Sequence, residues 1–296
     1  MNKSFFDYLS LIITCLGTSF GIIGVYFAVN TNIPISELLN NITILLIILT
    51  VLFLLLFAIF LNRFMIHKRY TNGYHVISEA FSISHKLRDS EEINDLPKSI
   101  ERLQDFCTKI SQAYTKFTNT QTSVCIKLFC IEEVSSNIYI KTLCRDNRSK
   151  ENPKRIQPEN DKCTHYLSEN TDFKNILENA EKNGEEYKYY ISNALPFEDF
   201  YRNTRLDMNN YPPKCSIPII KEIKRYFSWP LPYKSTITVP IIPLTDEIIE
   251  KNKIIGYLCI DSNNIGAFKS KYDVKIFRGI ADGLYPTIKK LTEIHF

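Results

Sequence analysis

The chain contains no Cys-x-x-Cys pair. Its eight cysteines, Cys15, Cys107, Cys125, Cys130, Cys144, Cys163, Cys215 and Cys259, are scattered, and their spacings match no zinc framework. A metal-stapled fold is not indicated, and reduced thiols are the simplest reading. A large excess of one charge is also missing. The formal net charge is +4, too small to argue for nucleic acid, and there is no Arg/Lys-rich helix or nucleic-acid motif. Two long stretches, Leu9–Val29 and Ile42–Leu61, carry no charge at all. Each is about as long as the roughly 20 apolar residues that a helix needs to cross a bilayer.

The two stretches predict a transmembrane hairpin over residues 1–62. Its loop, Asn30–Asn41, holds a single charge, Glu37, whereas Arg63, Lys68 and Arg69 follow the second span and Lys3 precedes the first. By the positive-inside rule both termini face the cytoplasm, which gives a two-span protein of the inner membrane with lipid as its first partner. A cleaved signal peptide is the competing reading, with Phe27-Ala28-Val29 a poor cleavage site. Gly17-x-x-x-Gly21 on the first span would let another helix approach closely.

Residues 63–96 read as a helical connector, with Tyr70, Tyr74, Ile77 and Phe81 on one face. Within it, Ser84-His85-Lys86-Leu87-Arg88 resembles the phosphoacceptor box of sensor histidine kinases. Lys86 stands where that family has an acidic residue, and no kinase domain follows, so His85 reads as a surface histidine. A second helix begins near Pro97 and carries Ile100, Leu103, Cys107, Ile110, Tyr114 and Phe117. That 3–4 spacing fits a dimer seam and equally a helix facing its own domain's core.

From Ser123 the pattern becomes β-rich. Cys125–Ile131 and Ile138–Cys144 predict a hairpin across the turn-like Ser135-Ser136-Asn137. Asp172–Asn183 predicts a helix capped by Thr171 or Asp172 and ended by Gly184, and Tyr187–Ile191 a short strand. A proline-bearing stretch then leads to two strong strands, Ser235–Ile242 and Ile254–Ile260. Ser270-Lys-Tyr-Asp273 reads as a capping box opening a terminal helix with Val274, Phe277, Ala281, Leu284, Ile288 and Leu291 in heptad spacing, kinked at Pro286. Antiparallel strands with helices at both ends predict an α+β fold, a sheet with flanking helices.

Three segments carry a family resemblance: Tyr233-Lys-Ser-Thr-Ile-Thr-Val-Pro-Ile241, Ile254-Ile-Gly-Tyr-Leu-Cys-Ile-Asp-Ser262 and Ala267-Phe-Lys-Ser-Lys-Tyr-Asp273. Together they resemble the C-terminal half of a GAF domain, a resemblance that implies a GAF-like sensor domain over residues 97–296. Residues 195–232 depart from a minimal member, being longer and richer in proline and aromatics. The resemblance implies a small-ligand site between the sheet and the segments covering its other face. Tyr166, Asn193, Phe197, Phe200, Tyr201, Tyr211 and Trp229 fall in those segments, where rings would wall a ligand and Asn193 would read a polar edge. Arg148 and Arg155, in a basic run with Arg145, Lys150, Lys154 and Lys162, would clamp a phosphate or touch anionic lipid, unless the run is only a solvated loop.

The cyclic-nucleotide motif of some GAF domains is not found, and Cys163-Thr-His165 only approximates the bilin attachment of others. The cysteines do not match a methionine sulfoxide reductase set, and Cys125, Cys130 and Cys259 read as strand packing. No catalytic constellation, metal site or cofactor is visible. The expectation is a non-enzymatic, membrane-anchored sensor, homodimeric through helices 97–117 and 272–294, that relays ligand or partner binding to the hairpin or to a downstream protein. The alternative is a membrane-disrupting effector of bacterial anti-phage defence gated by a nucleotide-like ligand.

Overall fold

The computed structural model describes residues 14, 17, 21, 35–131, 138–150, 165–180, 182, 188–204, 206, 218–243 and 253–296. The chain divides into two compact units, Met1–Met65 and Ile66–Phe296.

Helix α1 (Ile35–Asp89) starts in the first unit. Among the described residues it is the one helix long and apolar enough to cross a membrane by length and composition, with a mean hydropathy of 3.5 in its most apolar window. Leu52, Leu54, Leu55 and Ile59 leave more than half of their surface uncovered. The Thr50 hydroxyl donates back to the Leu46 carbonyl at 2.7 Å, so the helix satisfies its own polar group there. Two spans are therefore not shown. The first expected span, Leu9–Val29, lies outside the described residues except for Thr14, Gly17 and Gly21.

The second unit contains the later residues of α1, then α2 (Leu96–Thr118), β1 (Thr122–Ile131), β2 (Ile138–Arg145), α3 (Asn147–Lys150) and β3 (His165–Tyr166). It continues through α4 (Thr171–Asn179), β4 (Tyr190–Ser192), α5 (Pro218–Phe227), β5 (Ser235–Ile241), β6 (Gly256–Ser262) and α6 (Asp273–His295). The strands form one antiparallel sheet in the order β3-β2-β1-β6-β5-β4, which makes the unit α+β, as expected.

Strand alternation builds two cores. Val124, Ile126 and Leu128 of β1, Leu258 and Ile260 of β6, and Ile237, Val239 and Ile241 of β5 face the helices. They pack with Val76, Ile77 and Ala80 of α1, Phe106 and Ile110 of α2, and Phe277 and Leu284 of α6. Of the face expected on the connector, Ile77 is buried in this unit, Tyr70 and Phe81 pack against its core part-buried, and Tyr74 is exposed. The heptad positions Leu103, Cys107, Ile110, Tyr114 and Phe117, and Val274, Phe277, Ala281, Leu284, Ile288 and Leu291, are all buried within the one chain. In the single chain these positions pack into the core of residues 66–296.

Helix α2 opens where the Asp95 side chain accepts from Lys98 N at 3.2 Å, with Pro97 in the first turn. It ends at Asn119, which takes the left-handed conformation that asparagine tolerates (φ 56°). Helix α6 differs from the expected capping box. Lys269 N donates to Asp273 Oδ2 at 2.6 Å, and the Ser270 side chain is not the cap. The helix runs unbroken through Pro286.

Asp273 also receives two tyrosines. Tyr70 of α1 donates to its Oδ1 at 3.1 Å, and Tyr114 of α2 donates to its main-chain carbonyl at 2.6 Å. Burial holds the Asp273 carboxyl above the usual range. Nearby, Ser84 of α1 and Thr287 of α6 join their hydroxyls at 2.8 Å. On the helix side, a Cβ at Gly73 would overlap the Phe117 ring.

Candidate ligand-binding face

The face of the sheet opposite the helices carries a polar row set by strand register. Arg145 of β2 pairs with Cys125 of β1, Cys125 with Cys259 of β6, Cys259 with Thr238 of β5, and Thr238 with Tyr190 of β4. One rung away lie Thr142, Lys127 and Tyr257. An irregularity between Ile126 and Lys127 in the β1–β2 pairing skips Leu143, so Thr142 and Arg145, three residues apart, share this face.

Helix α4 lies over the row. Phe173, Ile176 and Ala180 pack with Cys125, Ile140, Tyr257 and Cys259 in the second core. Asp172, in the first turn of α4, is buried. Its Oδ2 accepts from the Thr238 hydroxyl at 3.3 Å, and its Oδ1 has no hydrogen-bond partner among the described residues. Burial pushes its carboxyl up to about 6, against the pull of the Lys127 ammonium. The Asp172 charge helps burial to hold the Tyr190 and Tyr257 phenols and the Cys259 thiol above their usual ranges.

Lys127 is buried, 5.5 Å from the Phe173 ring centroid, with Nζ 3.4 Å from Thr142 Oγ1. Arg145 Nη2 donates to the same hydroxyl at 3.4 Å. Tyr190 donates to Glu198 Oε2 at 2.7 Å, and burial together with that carboxylate holds its phenol well above the usual range. Two cations, a half-satisfied carboxyl, two thiols and hydroxyls are thus held on one face that is largely withdrawn from water. Such an arrangement can hold a small polar molecule by charge and hydrogen bonding.

The residues named from the sequence are placed differently. Asn193 is occupied: its Nδ2 donates to the Phe268 carbonyl at 2.7 Å and its Oδ1 accepts from Phe268 N at 2.9 Å. It pins a loop to the start of the last helical segment and does not read a ligand edge. Tyr201 and Trp229 are buried in a third cluster with Leu195, Leu206 and Leu231, and Trp229 Nε1 donates to the Tyr233 carbonyl at 2.6 Å. Phe200 is 90% exposed, and Phe197 stacks on Tyr226 at 6.5 Å. Tyr166 sits half-buried in β3 opposite Tyr139. Arg148 is exposed on α3, so the structure does not bring it to this face. Tyr211 and Arg155 lie outside the described residues.

Lys127, Asp172, Thr238 and the two thiols were not among the residues named as a site. The available signal was a lysine inside an otherwise apolar strand, Cys125-Ile-Lys-Leu-Phe.

No family model matches this chain, and no curated protein matches it. Solved structures do. The type II free methionine-R-sulfoxide reductase of Thermoplasma acidophilum is 16% identical over 67% of this chain and 97% of its own, with a TM-score of 0.38. The free methionine-R-sulfoxide reductase of Neisseria meningitidis is 11% identical over 76% of this chain and 92% of its own, with a TM-score of 0.40. The GAF domain of a phosphoenolpyruvate-protein phosphotransferase from Coxiella burnetii is 12% identical over 76% of this chain and 96% of its own, with a TM-score of 0.41. These likenesses assign no activity to this chain. They do correct the expectation of a non-enzymatic domain, because enzymes stand beside GAF domains among the matches.

Proposed function

We propose that residues 66–296 form a sensor-type domain that binds a small polar molecule on the face lined by Lys127, Asp172 and Thr238. The buried Asp172 Oδ1, without a hydrogen-bond partner among the described residues, carries the reading. A buried carboxyl oxygen without a donor is costly, and a ligand N–H or O–H reaching it removes that cost. Lys127 and Arg145 favour a ligand that also bears an acceptor or negative charge.

In the same proposal the chain is held at a membrane by α1, whose apolar windows suit lipid, with both termini in the cytoplasm. Ligand binding shifts α4 against the sheet, and the helices on the opposite face relay that shift. The test is native mass spectrometry of the purified full chain, reading small molecules carried through purification. A co-purifying molecule lost from both Asp172→Asn and Lys127→Met, with folding intact by circular dichroism, supports the reading. Equal retention by both variants refutes it.

A further inference from the structure

Cys125 and Cys259 are direct partners in the β1–β6 ladder, and both point to the face away from the helices. The main-chain bond from Phe129 N to Ile255 O, 3.3 Å, belongs to the same ladder. Counting rungs from it places Cys125 and Cys259 in the hydrogen-bonded set, where Cα atoms lie about 5.5 Å apart. That separation is within the range of about 4.4–6.8 Å at which two cysteines can be joined without moving the backbone.

The pair has an electropositive flank. Arg145 is the register partner of Cys125 on the side away from Cys259, and its charge acts on the Cys125 sulfur. The neighbouring Cys259 thiol holds the Cys125 thiol below the usual range despite burial, with help from the charges of Arg145 and Lys127. Burial drives the Cys259 thiol the other way, above its usual range.

A second pair provides the contrast. Cys107 and Cys144 bring their sulfurs to 3.9 Å, but inside the helix-side core, where burial raises the Cys107 thiol. The groups around Cys107, Cys144 and Asp146 among them, push its thiol up further.

We propose that Cys125 and Cys259 are a peroxide-oxidised dithiol, a modification site on the sheet. The Cys125 thiolate attacks one oxygen of a hydroperoxide. The O–O bond breaks, Cys125 becomes a sulfenic acid, and the other oxygen leaves as an alcohol or water after taking up a proton. The Cys259 sulfur then attacks the Cys125 sulfur. The S–S bond forms, the S–O bond breaks, and the departing hydroxide takes the Cys259 proton as water. The dithiol loses two electrons and the peroxide gains them. The bridge locks β1 to β6 at the row that also contains Thr238 and Arg145.

The test is peptide mapping of the folded full chain after graded hydrogen peroxide, with free thiols alkylated under denaturing conditions. The Cys125–Cys259 disulfide is expected to form about tenfold faster than any Cys107–Cys144 bridge. Cys259→Ser is expected to accumulate a sulfenic acid at Cys125 that dimedone traps, and Arg145→Gln to slow bridge formation several-fold. Preferential Cys107–Cys144 oxidation overturns the proposal. So does pairing of Cys125 with any other cysteine, or peroxide that oxidises Cys130 while Cys125 and Cys259 stay reduced. The readout is thiol state alone and does not depend on the ligand proposed for the face.

Discussion

Thr238 in β5 donates its hydroxyl hydrogen to Asp172 Oδ2 in α4 across 3.3 Å. With Tyr257, which donates to the Phe173 carbonyl at 3.2 Å, it ties the first turn of α4 to the sheet. The same carboxyl is held at about 6 by burial. Its folded value lies above the ordinary 3.8 of the exposed group, so between these values the folded chain binds more protons than the unfolded one. Stability therefore falls as pH rises from about 4 to about 6. Asp172→Asn is expected to flatten that window and to raise stability at pH 7.5 by up to about 3 kcal/mol. Thermal melts of both proteins at pH 4 and 7.5 check the sign. A variant less stable than the parent at pH 7.5 contradicts it.

Tyr114→Phe removes the buried hydrogen bond to the Asp273 carbonyl, an oxygen that also lies in the first turn of α6, and is expected to cost about 1.5 kcal/mol. Tyr70→Phe, at a part-buried contact, is expected to cost less, about 1 kcal/mol. Urea unfolding monitored by circular dichroism ranks the two, and the reverse order would refute the assignment of Tyr114 as the stronger tie.

Gly73 lies under the Phe117 ring, which stacks on Tyr70 at 4.7 Å. Gly73→Ala is expected to destabilise by about 1–3 kcal/mol, because the ring must leave a packed cluster. Adding Phe117→Leu to Gly73→Ala should recover part of that loss. Additive losses in a double-mutant cycle would show that the ring is not the obstacle.

The apolar windows of α1 predict that the full chain stays with membranes through alkaline carbonate extraction. Residues 66–296 alone are expected to remain in the supernatant and to unfold cooperatively. Release of the full chain by carbonate would remove lipid from the account.

Much of the fold was legible in the chain. Alternation in Cys125–Ile131 and Ile138–Cys144, broken by Ser135-Ser136-Asn137, gave the β1–β2 hairpin. The runs Ser235–Ile242 and Ile254–Ile260 became β5 and β6. The heptads of α2 and α6 were ambiguous, because repeats of 3.5 and 3.6 residues hardly diverge over a few turns. The candidate site was not legible. Its row is assembled from four or five strands, and neither register nor the irregularity before Lys127 is written in local periodicity. Asn193 misled for a related reason: its amide is used by the main chain of Phe268, 75 residues away. Cys125 and Cys259 look like ordinary strand filling until the ladder sets them opposite each other beside Arg145.

One further consequence belongs to Asp273, where Tyr70 and Tyr114 meet the first residue of α6. Three helices thus meet at one residue, so the cover they make over the sheet is fastened at this corner by a buried polar joint as well as by apolar packing.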